Sequence, residues 1–156
     1  MRIHLLAVGE KPDAWVSAGY REFARRLPPE CALHLTEIPA GRRGRNADIA
    51  RLMAQEGERL LQAVPSGACI VALDVRGQSW STEELAARMA RWMQEGRDLA
   101  IMIGGPDGLS PACLERAELR WSLSPLTLPH ALVRVLVAEQ LYRAWSICRG
   151  HPYHRG

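Results

Sequence analysis

The chain has 156 residues, 47% hydrophobic and 24% charged, enough apolar material for one globular domain with a buried core and too much for a disordered chain. No apolar run approaches the length of a membrane span, and residues 1–8 lack the cleavage site of a signal peptide, so a cytoplasmic protein without membrane contact is expected. A formal net charge of +3 does not by itself indicate a polyanionic partner, and the spacing of Cys31, Cys69, Cys113 and Cys148 suggests neither a zinc site nor a disulfide framework.

Residues 2–9 form a short apolar run closed by glycine, the pattern of a first strand. Residues 13–27 place Trp15, Val16, Tyr20, Phe23 and Leu27 near helical spacing, and Pro28 and Pro29 stop that helix. Residues 32–38 alternate as a strand does, residues 39–46 form a loop, and residues 47–64 carry one helical stripe of Ile49, Leu52, Met53, Leu60 and Leu61. The run 68–73 is continuously apolar and closes on Asp74, as in a strand buried on both faces of a parallel sheet. Ser81 or Thr82 caps a helix from Glu83 to Glu95, and Gly96 ends it. Leu99–Ile103 is a second buried strand, and Ser110 with Pro111 opens a short helix. Residues 119–123 form a last strand, residues 124–129 a loop, and His130–Cys148 a long closing helix ended by Gly150.

Strands alternating with helices along the whole length predict a single α/β domain, residues 1–156, with a mostly parallel sheet. Ligands in such sheets bind beyond the carboxyl ends of the strands. Three loops leave such ends in the second half, at 74–80, 104–110 and 124–129, and one cleft lined by all three is expected.

Within these loops, Gly104-Gly105-Pro106-Asp107-Gly108 offers close backbone approach and exposed amides, although a tight connection has the same composition. Residues 123–129 are too apolar for a free surface loop, which means either packing against the core or a slot for a flat, weakly polar ligand. The closing helix begins with Leu132, Val133, Val135, Leu136 and Val137, apolar almost all the way round, and this predicts a homodimer. Arg42, Arg43 and Arg45 sit in a glycine-broken basic loop able to contact a nucleic-acid backbone, or simply to be solvated. The tail His151-Pro152-Tyr153-His154-Arg155 combines an aromatic face, imidazoles and a guanidinium, groups that suit single-stranded RNA. Trp121 and Trp145 are expected near the cleft.

Five blocks carry a resemblance: IPAGRRGRNAD at 38–48, ALD at 72–74, IGGPDGLSPAC at 103–113, WSLSPLTLPHALVRVLVAEQLYRAW at 121–145 and HPYHR at 151–155. Together they resemble the ribosomal RNA large-subunit methyltransferase H family, a compact branch of the SPOUT methyltransferases, over essentially the whole chain. The resemblance implies a homodimeric α/β fold with a carboxyl-terminal trefoil knot, and S-adenosyl-L-methionine held in the knotted region. It also implies methylation at N3 of a pseudouridine in 23S rRNA on assembled ribosomes. The family's cofactor positions correspond to Leu73, Gly104, the adjoining Gly105, and Leu123, Ser124, Pro125, Leu126, Thr127 and Leu128. Asp107 stands where glutamate is usual in that family. Tyr153 and Arg155 are expected to position the nucleotide and His154 to accept its proton, while Arg42, Arg43, Arg45, Arg143 and His130 are expected to face RNA. No metal is expected. A noncatalytic RNA-binding factor and an enzyme using residues 104–108 as an anion cradle are the competing readings; cofactor binding separates them.

Overall fold

The computed structural model describes residues 1–155. Five strands, β1 (Ile3–Val8), β2 (Leu33–Ile38), β3 (Cys69–Ser79), β4 (Leu99–Ile103) and β5 (Leu119–Ser122), form one sheet in the order β2-β1-β4-β3-β5, parallel at every junction. The helices are α1 (Ala14–Ala24), α2 (Ile49–Ala63), α3 (Thr82–Glu95), α4 (Pro111–Arg116) and α5 (His130–Cys148).

The period of two along each strand sorts the core into two layers. Ile3, Leu5, Val71, Leu99 and Ile101 point to the face covered by α1, α3 and α5, where Tyr20, Met89 and Leu141 meet them. Leu6, Val8, Ile70, Ala100 and Met102 point to the other face, packed by Leu60 of α2 and Cys113 of α4. Because both faces are covered, β4 is buried at every residue, which is why its sequence is a continuous apolar run.

Local signals fix most boundaries. The Ser81 side chain accepts from the Glu84 amide while the Glu84 carboxylate accepts from the Ser81 amide, a reciprocal cap, and Gly96 closes α3 at φ 70°. Helix α2 starts two residues later than the apolar pattern predicts, because the Asp48 side chain accepts from the Arg51 amide at 3.2 Å and caps it. Helix α1 ends at Ala24, short of the expected Leu27, and a 3-10 turn, Pro29–Cys31, leads into β2.

One expectation needs correction. Residues 74–79 do not form a loop after β3; the strand loses its register with β5 at Leu73 and resumes it at Gln78, both opposite Trp121. Gly77 makes the resumption possible, since a Cβ there would stand 2.6 Å from the Arg120 carbonyl carbon. At the tail, Pro152–Arg155 forms a 3-10 turn folded back on α5.

Candidate active site

The sheet order makes β4, β3 and β5 neighbours; the chain is irregular beyond the carboxyl ends of β4 and β5 and leaves the ladder within β3. A cavity of about 320 Å³ opens there. On β3, residues 74–77 swing out of the ladder, the Arg76 amide donates to the Asp74 carboxylate at 3.2 Å, and Leu73, Asp74 and Val75 form one wall. After β4 the chain turns so tightly that the Gly108 amide donates to the Gly105 carbonyl at 3.0 Å, with Gly108 at φ 87°. A Cβ on Gly104 would lie 2.4 Å from the Gly108 carbonyl carbon, so only glycine closes that turn, and Gly104, Pro106 and Gly108 line the cavity. After β5, the Ser124 hydroxyl accepts from the Leu126 amide at 3.0 Å and bends the segment over the opening. Leu123, Ser124, Leu126, Thr127 and Leu128 line it, as do His130 and Val133 at the start of α5.

Of the expected cofactor residues, this cavity brings together Leu73, Gly104, Leu123, Ser124, Leu126, Thr127 and Leu128. Pro125 and Gly105 are not on its wall; Gly105 faces the other way, and a Cβ on it would meet Val8 Cγ1 at 2.9 Å. His130, expected to face RNA, sits on the cavity wall. Asp74, Val75, Pro106 and Gly108, which belong to the loops expected to line the cleft, and Trp121, expected near it, are on the wall; Ile103 and Val133 were not foreseen as lining. Trp121 is buried and stacks on Trp80 at 5.1 Å, whereas Trp145 lies far from the cavity, stacked on Tyr142 near the tail. Val75 and Leu126 stand at the mouth with 60% and 72% of their surface exposed.

The walls are mostly hydrocarbon, and Asp74 and His130 are the ionisable groups among the described lining residues. Burial pushes the Cys31 and Cys69 thiols up to about 11, which leaves them protonated and poor nucleophiles. No group of three potential metal ligands occurs among the described residues. A site of this make-up suits holding a flat, weakly polar ligand for transfer to an incoming nucleophile more than hydrolysis.

The tail residues lie elsewhere on the chain. The Tyr153 hydroxyl donates to Glu139 at 3.1 Å, its ring packs on Tyr142 at 4.6 Å, and the Arg143 guanidinium lies 4.8 Å above it. Burial raises the Tyr153 phenol, and the Glu139 carboxylate adds to the rise. His154 Nδ1 lies 2.6 Å from the His151 carbonyl, and Arg155 is exposed. At roughly 1.5 Å per residue, the nine to twelve residues between His130 and the Glu139–Tyr142 platform separate cavity and tail by roughly 13–18 Å. In the basic segment Arg42 and Arg45 are exposed, while Arg43 turns inward against Glu56 and Asp107.

The family described as "Predicted SPOUT methyltransferase" matches residues 1–154. The chain belongs to the SPOUT methyltransferases. Its curated relatives include proteins named ribosomal RNA large subunit methyltransferase H from Thioalkalivibrio sulfidiphilus, 62% identical over 99% of both chains, and from Methylococcus capsulatus, 60% identical over 99% of this chain and 100% of that one. Similar folds occur in a probable methyltransferase from Bordetella pertussis, with TM-score 0.56, 18% identity and coverage of 92% and 95%, and in a methyltransferase from Legionella pneumophila solved with bound SAM, with TM-score 0.51, 13% identity and coverage of 93% and 66%. The family assignment makes the chain a methyltransferase, and the fold is the single-domain SPOUT α/β architecture. Among the described residues no helix is long and apolar enough to cross a membrane.

Proposed function

We propose that this SPOUT enzyme is a cytoplasmic, homodimeric methyltransferase that uses S-adenosyl-L-methionine to methylate N3 of a pseudouridine in 23S rRNA on assembled ribosomes. The observation that carries the reading is the near full-length identity of about 60% to proteins named for ribosomal RNA methylation. The cavity fits the cofactor: its apolar walls suit an adenine ring and a thioether, and Asp74, Ser124, Thr127 and the bent backbone supply polar contacts. The bound cofactor supplies an electrophilic methyl group, so the protein's task is alignment and removal of one proton.

N3 of pseudouridine is an imide nitrogen whose proton must leave for it to attack. His154 suits the role of acceptor. The His151 carbonyl can only accept, so Nδ1 carries the hydrogen and a neutral His154 presents Nε2 as a base. Tyr153, pinned by Glu139 and Tyr142, offers a fixed face for the base, and Arg155 a guanidinium for a phosphate. Since tail and cavity lie apart within one chain, the reading requires the tail of a second copy at each cavity. The half-buried apolar side chains Leu132, Val133, Val135 and Leu136 of α5 support such pairing. The same reading carries a threaded carboxyl-terminal segment; its support is that the chain leaves edge strand β5 and returns to pack α5 on α1 and α3. Arg42 and Arg45 are the exposed contacts for the ribosomal backbone.

The test is incubation with labelled S-adenosyl-L-methionine and intact ribosomes, separated subunits or naked rRNA, followed by mapping of the methylated base. Label at N3 of a pseudouridine in intact ribosomes is expected; label in none of the three substrates would favour a noncatalytic RNA-binding factor. Mixing a subunit truncated before His151 with a Gly104→Val subunit should restore activity in heterodimers. No restoration would refute the shared site.

A further inference from the structure

Arg43 stands between two exposed arginines in the basic segment, yet Nε and both Nη atoms of its guanidinium are hydrogen-bonded within the protein. Nη1 and Nη2 grip the two oxygens of Glu56, Nη2 at 2.9 Å from Oε1, while Nη1 also donates to the Gly41 carbonyl at 2.9 Å. Nε donates to the Asp107 carboxylate at 3.2 Å. Both donor edges of the planar fork are therefore occupied, one by each carboxylate, and no edge remains for bidentate grip of a phosphate.

Glu56 is the fixed end of this chain of contacts. It projects from α2 with a side chain only 4% exposed, and its Oε2 also accepts from the Gly41 amide at 2.8 Å. Burial alone would raise its carboxyl, but Arg43 and the Gly41 amide outweigh burial and hold it below the ordinary value. Asp107 is the outer, part-exposed end, at the tip of the turn whose Gly104, Pro106 and Gly108 line the cavity. The far side of that turn rests on the same stretch of α2: a Cβ on Gly105 would lie 3.5 Å from Glu56 Oε1.

We infer that Arg43 is a positioning residue for the cofactor loop, held by buried Glu56 and acting on the glycine turn through Asp107. The inference rests on the reading of the cavity as the cofactor site. It divides the basic segment by role: Arg42 and Arg45 face outward, and Arg43 sets the geometry of the turn. An arm acting on the cofactor loop before chemistry changes cofactor affinity and leaves the chemical step alone.

Asp107 is part-exposed, so its replacement tests the arm without opening the core. Asp107→Asn should raise both the calorimetric Kd and the KM for S-adenosyl-L-methionine about three- to five-fold, the scale of one part-exposed ionic contact, with kcat at saturating cofactor and KM for ribosomes unchanged. Asp107→Glu, which keeps the charge within reach of Nε, should bind like the parent. Arg43→Lys keeps a cation for Glu56 but cannot span both carboxylates, and should match Asp107→Asn. The double variant should be no worse than either single one. An unchanged Kd in Asp107→Asn, a loss not rescued by glutamate, or a double variant showing the product of the single losses would overturn the inference. Gly104→Val separates this failure from that of the underlying reading: if it too left cofactor binding intact, the cavity would not be the cofactor site.

Discussion

Gly57 lies inside α2, where glycine costs about 1 kcal/mol relative to alanine by backbone entropy, so Gly57→Ala at an open position would stabilise the protein. Here the added methyl would stand 2.2 Å from Ser110 Oγ, 3.0 Å from Ser110 Cβ and 3.1 Å from Cys113 Sγ. Two responses are needed. Ser110 can turn away, but its hydroxyl accepts from the Cys113 amide at 3.3 Å and caps α4, a contact worth about 1 kcal/mol. Turning it leaves Ser110 Cβ and Cys113 Sγ too close, so α2 and α4 must also separate, an overpacking cost of about 1–3 kcal/mol. Set against the backbone gain, the two together leave a net loss of about 1–3 kcal/mol. For a chain of this size the melting temperature should fall by about 2–4 °C per kcal/mol.

Thermal unfolding followed by circular dichroism measures that fall, and calorimetric cofactor binding should weaken with it because Ser110 directly follows the glycine turn. Adding Ser110→Ala removes the atom at 2.2 Å and leaves the 3.0 Å contact, so the double variant should recover part of the loss even though Ser110→Ala alone is destabilising. A higher melting temperature in Gly57→Ala, or a further loss on adding Ser110→Ala, would refute the packing argument.

Glu56 has a carboxyl held below its ordinary 4.5, so its contribution to stability is fully present above that pH and disappears as the pH falls through the lowered folded value; Glu56→Gln should melt lower at neutral pH and lose less on acidification. Arg134 is buried in α5 and donates to Glu37 at 2.8 Å and to the Gly9 carbonyl at 2.6 Å, so Arg134→Met, which strands both acceptors, should cost about 2 kcal/mol after allowing for the part-exposed Glu37, measured by urea unfolding. Arg42→Ala with Arg45→Ala should weaken ribosome binding and reduce the slope of log affinity against log salt by about 1–2, while cofactor affinity in the absence of RNA stays unchanged.

Much of the fold was legible because its signals are local. The apolar run of β4, the Ser81–Glu84 cap with Gly96, and the length of α5 depend on neighbours in sequence. The course of β3 beyond Leu73 was not legible, since the return at Gln78 depends on pairing with Trp121, more than forty residues away in sequence. The position of the cavity followed from the strand ends, but the facing of its residues did not. Gly104 and Gly105 are equivalent in sequence, and only the turn sends one to the cavity and the other against Val8. Three arginines in one basic segment likewise look alike until Glu56, an ordinary helix carboxylate by composition, is found buried beneath Arg43.

No described residue before Leu73 lines the cavity, yet the first half of the chain shapes two of its three sides. Val8 and Glu56 sit behind Gly105, Gly57 leaves just enough room for Ser110, and Arg43 holds Asp107. At the third wall, Arg134 ties the beginning of α5, and with it His130 and Val133, to Gly9 and Glu37 at the ends of β1 and β2. The segments after β4 and β5 and the unpaired stretch within β3 expose apolar lips such as Val75 and Leu126 and cannot hold their shape by hydrophobic packing of their own. A buried ion pair and close glycine contacts from the more regular half supply that shape. Substitutions at these supporting contacts therefore act on the site through position: they should appear in cofactor affinity and stability, and leave the chemical step unchanged.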